Sequence, residues 1–251
     1  CLIFFINVKL VNLKLKRKFL AIIPARKGSK RLKNKNIIPL NGKPLIAYTI
    51  ESALNCSSID NLVVSTDCLK IKEVSEAFGA SVPFIRPQDL AQDESSTADV
   101  VMHVINFYEN LDIYFENFIL LQPTSPLRNS YHIISAINLM KERKANSIVS
   151  VCPCNNSSTS KWFGKLGKNN SMDNFFKDQR HISKEYNQDN AKLHRLNGAI
   201  YVHNIENFKQ CRNFVSPTMS FAYEMDEEVS VDIDEYGDFL VAQKYLENKN
   251  T

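Results

Sequence analysis

Two groups of charged residues have the types and spacing to do chemistry. The first is a loop in which Arg26, Lys27, Lys30, Arg31, Lys33 and Lys35 fall within ten residues. Such a loop repels itself unless it is solvated or faces an anion. Arginine and lysine make strong charge-assisted bonds to phosphate, and arginine can hold two oxygens at once. Gly28 lets a ligand approach the main chain. The loop reads as a cradle for a phosphate chain, with a solvated basic loop touching nucleic acid as the alternative. It is neither a P-loop nor a dinucleotide fingerprint, because GxxxxGK[ST] and GxGxxG are both missing.

The second group is Asp232 and Asp234, with one residue between them. On an extended segment both carboxylates leave the same face, while Val231 and Ile233 turn to the other. Two such oxygens suit Mg²⁺, which prefers octahedral oxygen sites shared with substrate phosphates. A helix-capping role is the other reading for Asp234. Asp67, at the end of VSTD, is adequately explained as a helix cap.

Neutral groups complete the set. Gln122, Thr124 and Ser125 would project hydrogen-bonding groups from a strand end, suiting sugar hydroxyls and the amide of an acylated sugar; a turn bonding its own backbone is the alternative. Arg86 alone is as consistent with a surface pair to Asp89. Arg128 could be a phosphate or carboxylate ligand or a helix-end surface charge. No nucleophilic triad is readable, which agrees with chemistry done by positioning and electrostatics. A catalytically silent nucleotide- or RNA-binding protein would use the basic loop equally well, but would leave the paired aspartates without a purpose.

The elements that must position these residues follow from periodicity. Phe19 to Ile23 is an apolar run fit for a buried parallel strand, ended by Pro24. A helix from Pro44 to Leu54 follows, then a strand over Leu62 to Ser65 and a helix capped by Asp67 and ended by Gly79. Ser81 to Ile85 reads as extended. Ser95, Ser96 or Thr97 caps a helix striped by Val100, Val101, Val104, Ile105 and Tyr108, with His103 off the stripe. Phe118 to Leu121 is a strand, Ser130 to Arg143 a helix, and Ser147 to Val151 another strand. Strand candidates recur at Ala199 to Val202, Phe221 to Met225 and Val229 to Ile233, before a last helix from about Glu235 to Glu247. The alternation predicts an α/β fold, a mostly parallel sheet with helices on both faces. Residues 153–196 are rich in Asn, Ser and Lys with isolated aromatics (Trp162, Phe163, Phe175, Phe176), and read as a small protruding subdomain whose aromatics favour an interface over a satellite core.

The motifs also carry a resemblance. PARKGSKRLKNKN followed by LNGKPLIAYTIESAL, then VSTD, IRPQDLAQDESST, LLQPTSPLR, LNGAIYV and SVDID, resembles the CMP-sialic acid synthetases (acylneuraminate cytidylyltransferases) in family order, over about residues 19–245. The resemblance implies a three-layer, Rossmann-like nucleotide-diphospho-sugar transferase fold. Its implied reaction is transfer of CMP from CTP to the anomeric hydroxyl of a nine-carbon acidic sugar, with pyrophosphate leaving and Mg²⁺ at Asp232 and Asp234. It places Arg26, Ser29, Lys30, Lys35 and Asn36 on the nucleotide, and Arg86, Ser95 and Ser96 around the base and ribose. Gln122, Thr124, Ser125, Lys161, Arg180 and Asn197 would meet the sugar, with Arg26, Lys35, Asp232 and Asp234 catalytic. The resemblance further implies that the 153–196 extension crosses to a second subunit, giving a homodimer whose sites borrow a basic residue from the partner. Legionaminic and pseudaminic acid cytidylyltransferases share these motifs, and the long segment QDNAKLHRLNGA resembles the legionaminic branch more.

Composition bounds the rest. The 251 residues, 44% hydrophobic, suffice for one α/β domain with an appendage. The net charge of +4 is mild and its basic excess lies before residue 45, which favours a local anion site over a nucleic-acid coat. No apolar run approaches the 18 residues or so expected of a spanning helix, so no membrane partner is expected. The six cysteines are scattered, and Cys152 and Cys154 form CxC rather than CxxC; buried thiols in a reducing cytoplasm are the expectation. Residues 1–18 read as a loosely held tail. A chain starting at Cys1 fits a fragment boundary or an upstream translation artefact.

Overall fold

A computed structural model describes residues 16–154, 163–176 and 192–248. The first strand, β1, runs Arg17–Pro24 and is buried on both faces. Its side chains alternate: Phe19, Ala21 and Ile23 enter one core, Leu20 and Ile22 the other. Two apolar faces on one strand require two covering layers, and helices supply both. The helices α1 (Leu45–Leu54), α2 (Leu69–Ala77) and α4 (Ser130–Arg143) pack on the first face. The helices α3 (Thr97–Glu109) and α5 (Ile205–Cys211) pack on the second. Each fully buried Ile or Leu here contributes about 1.5–3 kcal/mol.

The other strands are β2 (Pro39–Leu40) and β3 (Lys43–Pro44), which form a small hairpin, then β4 (Asn61–Ser65), β5 (Phe115–Leu120), β6 (Ser147–Cys154), β7 (Phe163–Gly164), β8 (Leu193–Asn204) and β9 (Ser220–Glu224). The main sheet has the order β4-β1-β5-β8-β6-β9, with β7 paired to β8. The pairs β1–β4, β1–β5 and β6–β9 are parallel, and β8 runs against both neighbours. The fold is therefore the expected three-layer, Rossmann-like α/β architecture, mostly parallel with one reversed strand. In such sheets ligands bind beyond the carboxyl ends of the strands. The loops after β1, β4 and β5 all lie there.

Several expectations need correction. Arg17 and Lys18 belong to β1 rather than to a tail, since Arg17 pairs with Phe115; residues 1–15 lie outside the described residues. Asp67 caps nothing. Its Oδ1 accepts the Lys27 backbone N–H at 2.8 Å and so ties the basic loop to the end of β4. Ser81–Ile85 contributes only one bridge, Val63 to Ser81. The last expected strand is absent: after a single 3-10 turn at Glu227–Val229 the chain runs irregularly to α6 (Tyr236–Asn248). Phe175 is fully buried with Met172, Val149 and Val151, so it is satellite core and not interface, whereas Phe176 is exposed. Trp162 lies outside the described residues. Five of the cysteines are free thiols; Cys56, Cys152 and Cys154 are buried as expected, Cys68 and Cys211 only partly so, and Cys1 is not among the described residues.

Candidate functional site

The basic loop leaves β1 at Pro24 and is held by backbone groups. Ala25 N–H donates to Ser65 O at 2.9 Å, Ser29 N–H to Lys27 O at 2.9 Å, and the Asn36 side chain to Arg26 O at 2.9 Å. Asn36 is therefore buried, fixing the loop from within. The left-handed turn is taken by Asn34, at φ 56°, before the 3-10 turn Lys35–Ile37. Gly28 is not in a positive-φ conformation and has open space about it, so its conformational freedom goes unused.

The loop forms one wall of a cleft of about 430 Å³. Arg26, Ser29, Lys30, Arg31, Lys35 and Asn36 line it from that side. The stretch between β4 and α3, with the start of α3, contributes Arg86, Leu90, Asp93, Ser95, Thr97 and Val100, the turn after β5 contributes Gln122 and Thr124, and the segment before α6 contributes Asp234. One cleft thus gathers most of the residues singled out in the sequence. Lys27 and Lys33 are exposed. Four of the loop cations share two carboxylates. Arg26 Nη1 lies 2.8 Å from Asp93, and Lys30 bonds the same carboxylate. Lys35 Nζ lies 2.9 Å from Asp234 Oδ1, and Arg31 lies 3.4 Å from Oδ2. Lys30, then Arg26, hold the Asp93 carboxyl below its ordinary range.

Arg86 does not pair with Asp89. It is 4% exposed, donates from Nε to Ser65 Oγ at 3.1 Å, and bonds the Ser65 carbonyl. Burial pulls its pKa down to about 10 against the support of Asp67. Ser95 lines the cleft and donates to Asp89 O at 2.7 Å. Ser96 does not line it: its Oγ accepts the Ala98 N–H at 3.1 Å, which makes it the cap of α3.

Gln122 and Thr124 reach the cleft because β5 stops at Leu120 and a two-proline turn follows. Gly198, at φ 74°, leaves room for the Gln122 amide; a Cβ there would stand 3.2 Å from Oε1. Ser125 is buried beneath the wall instead of lining it, and its Oγ finds no partner among the described residues. Arg128 is neither ligand nor surface charge. It is 1% exposed, and Nη1 donates to Gln122 O at 3.1 Å and Ala199 O at 2.9 Å. Burial alone draws its pKa to about 9. Asn197 is also internal, bonded to Ser150 Oγ, Ser230 Oγ and Ala199 N–H, and does not line the cleft. Lys161 and Arg180 lie outside the described residues.

The two aspartates sit on the irregular segment before α6, not on a strand. Ile233 is fully buried with Leu40, Leu45, Phe239 and Ala242, and its N–H donates to Thr124 O at 2.8 Å. Asp234 lines the cleft, whereas Asp232 does not line it and lies beside Thr124. Burial chiefly, with Asp234 as a lesser cause, pushes the Asp232 carboxyl above its ordinary range, and its Oδ1 is buried with no partner among the described residues. Asp234 does not cap α6; Asp238 does, accepting the N–H groups of Asp234 and Glu235 at 2.9 Å each. Asp93 and Gly198 were missed from the sequence. Asp93 had only its place in IRPQDLAQDESST as a signal, and the closeness of Gly198 to Gln122 exists only in three dimensions.

A mostly parallel α/β sheet binds its ligands in a crevice beyond the carboxyl ends of its strands, which is where this polar cleft lies. A family model described as "Cytidylyltransferase" matches residues 20–209, and the chain belongs to that family. It is 37% identical over 237 residues to an N-acylneuraminate cytidylyltransferase of Escherichia coli, covering 94% of this chain and 54% of that protein. The chain thus spans about half the length of that relative. It is also 37% identical over 231 residues to a CMP-N,N'-diacetyllegionaminic acid synthase of Legionella pneumophila, covering 92% of this chain and 97% of that one. Among solved structures, a CMP:2-keto-3-deoxy-manno-octonic acid synthetase complexed with CTP has the same fold: TM-score 0.69 at 15% identity, over 92% of this chain and 99% of that one.

Proposed function

We propose that this chain transfers CMP from CTP to the anomeric hydroxyl of a nonulosonic, sialic-type acid and releases pyrophosphate. The observation that carries the reading is the asymmetry of the cleft. Arg26, Lys30, Arg31 and Lys35 reach the cleft from the loop after β1, and the neutral Gln122 and Thr124 from the turn after β5. A triphosphate bearing about four negative charges suits the first group by charge-assisted bonding. Neutral hydrogen-bonding groups suit hydroxyls and an acylated amine. In the reaction the anomeric oxygen bonds to the α-phosphorus, the bond from that phosphorus to the bridging oxygen breaks with its electron pair leaving on pyrophosphate, and the hydroxyl proton passes to water. Arg26 and Lys35 would bear the charge that grows on the departing phosphates, and the buried Asn36 keeps the loop in place.

The orphaned, buried oxygen of Asp232 fits a cation, and Asp232 with Asp234 would hold Mg²⁺ beside the phosphates. When bound, that ion would neutralise phosphate charge. Among the described residues no group of three acidic, histidine or cysteine side chains could hold a metal, so the remaining ligands would be substrate oxygens and water. The chain would act as a homodimer through residues 153–196, with Lys161 and Arg180 completing the sugar site.

A second reading, legionaminic acid as the sugar, is favoured by the near end-to-end match with the Legionella pneumophila synthase. Pyrophosphate release from CTP, measured against sialic, legionaminic and pseudaminic acids with and without Mg²⁺, tests both readings. Release with one acid and Mg²⁺ is expected. No release with any acid would leave only a nucleotide-binding protein.

A further inference from the structure

We propose that Asp93 sets the anion selectivity of the cleft: it is an internal anion that occupies Arg26 and Lys30 until a polyphosphate displaces it. The inference rests on the reading that the cleft takes a nucleoside triphosphate. Asp93 lies on the segment between the single turn Gln88–Leu90 and α3 and lines the cleft along with the basic loop. Both of its oxygens are engaged, Oδ1 with Arg26 at 2.8 Å and Oδ2 with Lys30. It is not the cap of α3, a role that Ser96 fills. The two ion pairs join the basic loop to the segment before α3, both of which line the cleft.

An arriving ligand therefore meets Arg26 and Lys30 already engaged, within a cleft whose cations still outnumber its acids. It must exchange with a carboxylate that already holds two cations. Lys30 is 78% exposed and Asp93 44% exposed, and ion pairs in such positions contribute little, so the exchange is easy for a ligand of high charge. A triphosphate or pyrophosphate offers several oxygens to both cations and displaces Asp93. A single phosphate does so poorly. Once pyrophosphate has formed, the same carboxylate competes for Arg26 and Lys30 and hastens its departure. Asp93 is thus a specificity-determining residue that trades affinity for selectivity and product release.

The test is calorimetric titration of the full chain and of Asp93→Asn and Asp93→Glu with pyrophosphate, CTP and inorganic phosphate at several salt concentrations. Two exposed ion pairs removed should tighten pyrophosphate and CTP binding about three- to tenfold in Asp93→Asn. The salt dependence should steepen, because solution ions then screen cations that the carboxylate had held. Asp93→Glu should stay near wild type, and steady-state inhibition by pyrophosphate should strengthen in Asp93→Asn. Unchanged or weaker pyrophosphate affinity in an Asp93→Asn chain of normal melting temperature overturns the proposal, as does the absence of pyrophosphate binding in both chains. The pyrophosphate arm needs no turnover, so a chain that makes no sugar nucleotide overturns the proposed reaction alone.

Discussion

Lys35 is the loop cation whose surroundings differ most from what its sequence neighbours indicate. Glu51 is the nearest acid after it in the chain, yet its side chain is only 16% exposed and sits 2.9 Å from Asp234, a residue 199 positions away. Replacing it with Ala removes a charged donor from the basic loop and frees one oxygen of Asp234. The CTP KM should rise at least about tenfold, the worth of one charged hydrogen bond, while the melting temperature changes little. A large loss of stability with an unchanged CTP requirement would make Lys35 structural. Asp232 and Asp234 make a matching prediction. Asn keeps their shape and gives up their charge. Asp232→Asn or Asp234→Asn should lower turnover by about three decades or more, the several kcal/mol typical of metal stabilisation, with folding intact by circular dichroism. Near-normal activity of Asp234→Asn at ordinary Mg²⁺ contradicts the metal assignment.

At the scale of elements, the long apolar signals were legible and the loops were not. The run Phe19 to Ile23 announced a buried strand because both of its faces are apolar, and α4 matched its expected bounds because Asn129 and a basic last turn mark its ends. The segment around Asp232 was misread. The alternation of Val231 and Ile233 with two acids imitates a strand, although a single buried Ile233 and its bond to Thr124 hold the segment without one. Arg128 was misread for a related reason, since nothing local tells a buried guanidinium from an exposed one. His203 on β8 supplies a test of such burial. It lies between Phe118 and Phe208, its ring nitrogens face Asn204 O at 2.9 Å and Asn213 O at 3.1 Å, and burial pulls its pKa down to about 4. Between pH 4 and 6.5 the unfolded chain takes up a proton there that the folded chain refuses. Stability should therefore be full above pH 6.5 and fall as the pH drops, by up to about 3 kcal/mol from this group. Urea unfolding from pH 7 to 4.5 should show that fall flattened in His203→Gln; identical slopes in the two chains contradict it.

For the whole molecule, three loops at the carboxyl edge of the sheet and the segment before α6 line the cleft. Among the described residues no helix is long and apolar enough to cross a membrane. The described part of the extension, residues 163–176, packs back onto β8 and β9 through β7 and the Ser171–Phe221 bridge, with Phe176 left exposed. Light scattering should give a dimer, and dilution to the monomer should cost activity if each site borrows a basic residue. A fully active monomer rules this out. The central claim, that a sugar hydroxyl attacks the α-phosphorus of CTP in this cleft, is tested most directly by isotope position. The chain should be given CTP, Mg²⁺ and the accepted acid carrying ¹⁸O in its anomeric hydroxyl, and the products read by mass spectrometry. ¹⁸O should be retained between sugar and phosphorus in a CMP-sugar, with none in pyrophosphate. Label in pyrophosphate, or CMP-sugar without ¹⁸O in its bridge, would contradict the claim.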